Sequence, residues 1–170
     1  MLWTQLLCNS VETTSRMSLL FSLSVEDDDH VYNKTLLDWI EGHGESPNSV
    51  ALLNPERPAV LNVLGETGDV LLYDTLDALV LSVYEGAAHA LATNEAYVYS
   101  SFDQRDAYSI SVKDGVVEFR TAEGTATASL AATTKALRDL GSAYGELLKK
   151  VFPQEEARWR RFLDRPRGLD

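Results

Sequence analysis

AYSISVKDGVVEFRT, residues 107–121, is the stretch from which the fold can be read. Two runs in which apolar and polar residues alternate, 107–113 and 116–121, flank Asp114-Gly115. A two-residue type I′ turn requires positive φ at both central positions, and Asp-Gly supplies it at low cost, so the stretch predicts a tight antiparallel hairpin. That turn fixes the register. Val112 faces Val117, Ile110 faces Phe119 and Tyr108 faces Thr121, with all six on one face of the sheet. Each such cross-strand pair stabilises a sheet by about 0.2–1 kcal/mol. The opposite face carries Ser109, Ser111, Lys113, Glu118 and Arg120 and is expected to be wet.

Working outward, AYVYSS (96–101) reads as a preceding strand, AEGT (122–125) as a turn and ATASLA (126–131) as a following strand, which completes a meander. Upstream, DTLDALVLSVYEGAAHALAT (74–93) places Leu76, Leu79, Val80, Val83, Ala87, Ala90 and Leu91 at the three- and four-residue steps of one helical face. Asp74 or Thr75 can cap this helix, and Asp77 suits its dipole. Gly86 in its interior costs about 1 kcal/mol relative to alanine, which suggests that another element approaches closely there. Downstream, TTKALRDLGSAYGELLKKVF (133–152) is a second long helix ended by Pro153. QEEARWRRFLDR (154–165) is a short basic helix, and RPRGLD is a tail.

Toward the N-terminus, MSLLFSLSV (17–25) alternates as a half-buried strand. NKTLLDWIEGHG (33–44) reads as a short helix capped by Asn33, and Ser46 to Pro58 as loop around a short VALL strand. PAVLNVLG (58–65) and Asp69 to Tyr73 read as strands. The fold class is therefore α+β: one antiparallel sheet, a meander with an Asp-Gly hairpin, with helices packed on one face. Residues 1–170 form one domain, and 154–170 are a basic helix and tail packed on it or extending from it.

A domain of 170 residues buries roughly 70% of its unfolded surface, so its core needs no covalent staple. Cys8 is the only cysteine, so an internal disulfide is impossible and a reducing compartment is expected. MLWTQLLCNSVETT lacks the pattern of a cleaved signal. The apolar runs fall short of the ~20 residues that span a bilayer. The expectation is a soluble cytoplasmic protein.

Charge is distributed unevenly. Residues 1–118 hold 19 Asp and Glu against 5 Lys and Arg, a net of −14, whereas 119–170 carry a net of +3. Such a field repels nucleic-acid phosphates and anionic lipid and speeds encounter with basic partners. Solubility alone is the plainer reading of the same numbers.

The densest acidic run is Glu26-Asp27-Asp28-Asp29, directly before His30. Adjacent side chains in a strand point to opposite faces, and the run lacks the alternate-position spacing of a calcium loop and the spaced His and Cys of a zinc site. A solvated turn or a charged contact surface fits it better than a metal site, and we read the four acids as supplying field rather than chemistry. No Gly-x-Ser-x-Gly elbow or Walker loop is present. His89 reads as a helix-flank residue, although Glu85 four residues away could pair with it as an acid/base couple. RWRRFLDRPR resembles a nucleic-acid or membrane-surface segment in isolation, but in an acidic protein it is expected to fold back onto the body. Tyr97, Tyr99, Tyr108, Tyr84 and Tyr73 stand close in sequence to Asp103, Asp106, Glu95 and Asp74. Tyrosine beside carboxylate suits a surface that faces Arg and Lys, and tyrosines at sheet edges are the structural alternative.

The runs TLLDWIEGHG, PAVLNVLGETGDVLLYD and DTLDALVLSVYEGAAHALATNEAYVYSSFDQRDAYSISVKDGVVEF together resemble, in layout and charge, the immunity proteins of bacterial polymorphic toxin systems. The resemblance implies an acidic, non-enzymatic inhibitor that masks a basic toxin or effector, with no cofactor, metal, nucleic acid or membrane. By position the partner-binding candidates are Glu26, Asp27, Asp28 and Asp29, or Tyr97, Tyr99, Asp103 and Asp106. The alternatives are a secretion chaperone or adaptor that holds a client segment, and a small enzyme with a dispersed active site around His89.

Overall fold

The computed structural model describes residues 18–27, 30–35, 53–100, 107–164 and 166–169. Along the chain run β1 (Leu20–Asp27), β2 (His30–Thr35), β3 (Pro58–Leu64), β4 (Asp69–Thr75), α1 (Leu76–Thr93), β5 (Tyr97–Tyr99), β6 (Tyr108–Lys113), β7 (Val116–Arg120), β8 (Thr125–Ser129), α2 (Leu130–Val151) and α3 (Glu156–Leu163). The class is α+β with antiparallel strands throughout.

The Asp-Gly hairpin forms as its chemistry requires. Asp114 and Gly115 have φ of 52° and 80°, and Val112 pairs with Val117 and Ile110 with Phe119. Ile110, Val117 and Phe119 are fully buried. The expected Tyr108–Thr121 pair is absent from the ladder. β7 ends at Arg120, and the Thr121 N–H turns back to the Gly124 carbonyl at 2.9 Å.

The strands form two four-stranded sheets, ordered β2-β1-β3-β4 and β5-β6-β7-β8, rather than one. A narrow seam joins them. Thr67 and Thr127 exchange backbone hydrogen bonds at 3.1 and 2.7 Å, the single bridge between the turn after β3 and strand β8. Only glycine fits beside it: a Cβ on Gly65 would stand 2.7 Å from the Thr127 carbonyl oxygen, and one on Gly68 would run into the Thr125 carbonyl. Gly68 also has a φ of +70°. The same turn sends Glu66 to the start of α2, where its carboxylate accepts from the Ser129 N–H (2.8 Å) and hydroxyl (3.0 Å). The Ser129 hydroxyl in turn accepts from the Ala132 N–H. This cap starts α2 at Leu130, earlier than its apolar periodicity suggests.

Across the seam the buried faces meet. Phe21 of β1 lies edge-on to Phe119 of β7, with centroids 6.5 Å apart. In β3, Ala59, Leu61 and Val63 are buried, and in β4 Val70 and Leu72 are. α1 packs against β3, β4, β5 and β6 through Leu76, Leu79, Val80, Val83 and Ala87. The Tyr97 ring covers Gly86, the close approach that an interior glycine suggested. Asn33, expected to cap a helix, instead pairs with Ser24 inside β2. The rest of that expected helix and most of the VALL strand fall outside the described residues.

The C-terminal segment packs against α1 and α2. The Tyr84 hydroxyl donates to the Phe162 carbonyl at 3.0 Å, and Phe162 and Leu169 are buried. Gly141 and Gly145 of α2 make room for the Tyr84 ring and for Leu163, at 2.6 and 2.7 Å from where a Cβ would be.

The seam gives a direct comparison of two positive-φ glycines. Gly115→Ala, with nothing within 4 Å, carries only the backbone cost of about 1 kcal/mol. Gly68→Ala adds a backbone collision and is expected to lower urea stability by about 2 kcal/mol or more. Equal losses in the two variants would contradict the seam described here.

Candidate functional site

Two carboxylates stand at the start of α1, and each holds a tyrosine. Asp74 is the last-but-one residue of β4. Its Oδ1 accepts from the Thr75 N–H at 2.7 Å, and its Oδ2 accepts from the Tyr99 hydroxyl at 2.7 Å. Thr75, at the N-cap position, makes no side-chain cap bond, so Asp74 takes part of that task. Asp77, one turn on, accepts from the Tyr144 hydroxyl at 2.6 Å.

The two then differ. Asp77 is also gripped by Arg158, with Nε on Oδ2 at 2.7 Å and Nη2 on Oδ1 at 2.8 Å. Arg158 further donates to the Leu53 carbonyl and to Glu155, both at 3.1 Å. Burial alone would lower the pKa of Arg158, but Asp77 and Glu155 outweigh it and raise the value above its usual range, so the guanidinium is permanently charged. No cation is paired with Asp74 among the described residues.

The surroundings of Asp74 are aromatic. Tyr99 stacks on Tyr108 with centroids 5.0 Å apart, and the Tyr108 hydroxyl donates to Ser82 Oγ at 2.5 Å. Burial, then Asp74, raises the Tyr99 pKa well above its ordinary value, so its phenol remains a donor at all physiological pH values. Burial, then Glu85, raises Tyr97 as well. Between the two tyrosines, Val98 points the other way and is 56% exposed. Among the described strands β5 ends its sheet and pairs only with β6.

Of the residues expected to meet a partner, Tyr97 and Tyr99 are thus brought to one sheet edge beside Asp74. Glu26 and Asp27 end β1, in register with Val31 and His30. Asp28, Asp29, Asp103 and Asp106 lie outside the described residues. Tyr84 and Tyr108 belong to the core, at 1% and 2% exposure, and Tyr73 is open on β4.

The alternative Glu85–His89 couple does not form, and His89 stands on the helix flank as expected. Arg161 occupies both Glu85 oxygens at 3.0 Å, and His89 lies 3.9 Å from Glu95 on an exposed flank. Among the described residues no three potential metal ligands converge, and no helix is long and apolar enough to cross a membrane. An open groove of about 590 Å³ runs along the start of α2, but its charged groups are engaged: Lys135 with Asp139, and Arg138 with the Leu169 carbonyl.

Asp77 and Arg158, a bidentate and mostly buried ion pair, escaped sequence reading because 81 residues separate them. The first-turn Asp77 carried only a dipole signal, and Arg158 was one of several basic residues in its run. The chain matches no protein-family model, no curated protein and no solved structure.

Tyr144 offers a pH test. Burial, then Asp77, holds its pKa well above the ordinary 10.0. The folded state therefore keeps a proton that the unfolded chain loses. The stability from this group is full below about pH 10 and declines as pH rises through the folded value. Tyr144→Phe is expected to cost about 1–2 kcal/mol at pH 7. It should also make the alkaline decline shallower by one proton, about 1.4 kcal/mol per pH unit. Urea midpoints from pH 8 to 11 would show it; parallel declines would place the titration elsewhere.

Proposed function

We propose that this protein is a non-enzymatic acidic binding module, an immunity-type inhibitor that masks a basic toxin or effector in a bacterial cytoplasm. The observation that carries the reading is where the cations are spent. Arg158 is held by Asp77, Arg161 by Glu85, Arg120 by Glu118, Lys135 by Asp139 and Arg160 by Glu156. Pairing one cation with one anion leaves the net −11 unchanged. Each of these cations is matched locally by an acid, so the surplus is carried by acids without a cation, such as Asp74, Asp114 and Glu123 among the described residues. A field of this kind steers a basic partner and sharpens the salt dependence of its association. Tyr97 and Tyr99, rigid and amphipathic, add contact area at low entropic cost beside Asp74.

A second reading, an adaptor that holds an extended client segment, is favoured by the terminal position of β5 in its sheet. The two readings part on the partner's state: a folded basic domain supports masking, an unfolded segment supports the adaptor.

The test is capture by the immobilised protein from host lysate at low and moderate salt, followed by kinetics on the retained partner. Masking predicts a folded basic protein whose own activity is suppressed on binding. It also predicts that neutralising Asp27, Asp28 and Asp29 together, or Asp103 and Asp106 together, lowers the low-salt association rate about tenfold and flattens its salt dependence. An unchanged rate in both variants would rule out the electrostatic mechanism.

A further inference from the structure

Within this molecule, Asp77 shows how an aspartate with a bound tyrosine phenol is completed: a guanidinium closes on its remaining lone pairs while Tyr144 donates to Oδ1. Asp74 repeats the first half of that arrangement with Tyr99 and lacks the second. A carboxylate has about four lone-pair positions, and Asp74 uses one on each oxygen. It is half-buried, where a charge-assisted bond is stronger than in water. Tyr99, which brings this carboxylate to the sheet edge, belongs to β5, whose outer side no described strand pairs.

Building on the proposed binding of a basic partner, we infer that β5 receives an extended segment of that partner by strand addition, with an arginine of the segment closing on Asp74 beside Tyr99. The side chains of β5 specify the pattern. Neighbouring residues on an added strand face opposite sides. An arginine in line with Tyr99 therefore has apolar neighbours, which fall on the Val98 side and cover that exposed valine. The occupant is thus a segment in which arginine alternates with apolar residues, taken from an edge strand or loop of a protein. Backbone hydrogen bonds supply affinity, and Asp74 supplies the choice of side chain.

The probe is a short fluorescein-labelled peptide alternating arginine and valine, titrated against the full chain by anisotropy, with amide exchange followed at Tyr97–Tyr99. The wild type should bind it and β5 amides should gain protection. Asp74→Asn removes the charge and leaves one acceptor oxygen, enough for the Tyr99 phenol once the Thr75 N–H is released. It is expected to weaken binding about tenfold or more, whereas Glu123→Gln removes the same charge in the turn between β7 and β8, with β6 between that hairpin and β5, and should change it less than about twofold. The same peptide N-methylated on alternate residues keeps its charge, loses ladder donors and should bind at least about tenfold more weakly. Equal losses in Asp74→Asn and Glu123→Gln, an unaffected N-methyl peptide, or protection outside β5 would each overturn the inference and leave a general acidic attraction standing. No peptide binding at all would also overturn it. A captured folded basic protein that still associates would then show that masking operates through another surface.

Discussion

The bidentate contact between Arg158 and Asp77 ties together parts of the chain that nothing local would join. Its carboxylate starts α1, its guanidinium comes from α3, Tyr144 adds a phenol from α2, and the Leu53 carbonyl closes the fourth side. Both charged side chains are mostly buried, at 15% and 24% exposure. Desolvating them is costly, and the geometry offsets that cost only because nearly every donor and acceptor is used. With α3 fixed, Phe162 fits between Tyr84 and Tyr144, and Leu169 completes the layer under α1 and α2. Removing either ion would leave the other mostly buried without its bidentate partner.

That contact also shapes the electrostatics seen from outside. A basic, aromatic tail such as RWRRFLDRPR on a free surface would attract phosphates or anionic lipid. Here Arg158 is buried against Asp77 and Arg161 pairs with Glu85 at the surface, while Trp159 sits under Lys149 and Arg160 at 5.6 and 5.7 Å. The tail is thereby tied to the body of the protein, its arginines matched by Asp77, Glu85 and Glu156. Asp74 and Asp77 make the contrast local: two aspartates one turn apart, each holding a tyrosine, one satisfied from within the molecule and one open.

How far the sequence disclosed this depends on whether the deciding force is local. The hairpin register followed from Asp114-Gly115, because positive φ at two adjacent residues admits few alternatives. α1 followed from its apolar spacing, and Gly86 correctly marked where Tyr97 would press on it. The division into two sheets did not follow. The seam is made by backbone atoms of Thr67 and Thr127 and by the absence of side chains at Gly65 and Gly68, which periodicity does not register. Asn33 misled because its side chain suits a helix cap, yet β1 offered its backbone a ladder. At the candidate site Tyr97 and Tyr99 were legible as an aromatic pair near acids. That Asp74 is a carboxylate bonded to Tyr99 is a fact of tertiary packing.

The claim that C-terminal cations are consumed in building the fold, and so leave the acids on display, can be tested on the protein alone. A double-mutant cycle of Asp77→Asn and Arg158→Met, read by urea unfolding at neutral pH, isolates the coupling between the two charges. The account predicts a coupling of about 2 kcal/mol or more, with each single variant strongly destabilised and the double variant recovering part of the loss. Additive losses, with a coupling below about 0.5 kcal/mol, would mean that α3 is held by its apolar contacts alone and that its arginines remain free to meet other partners.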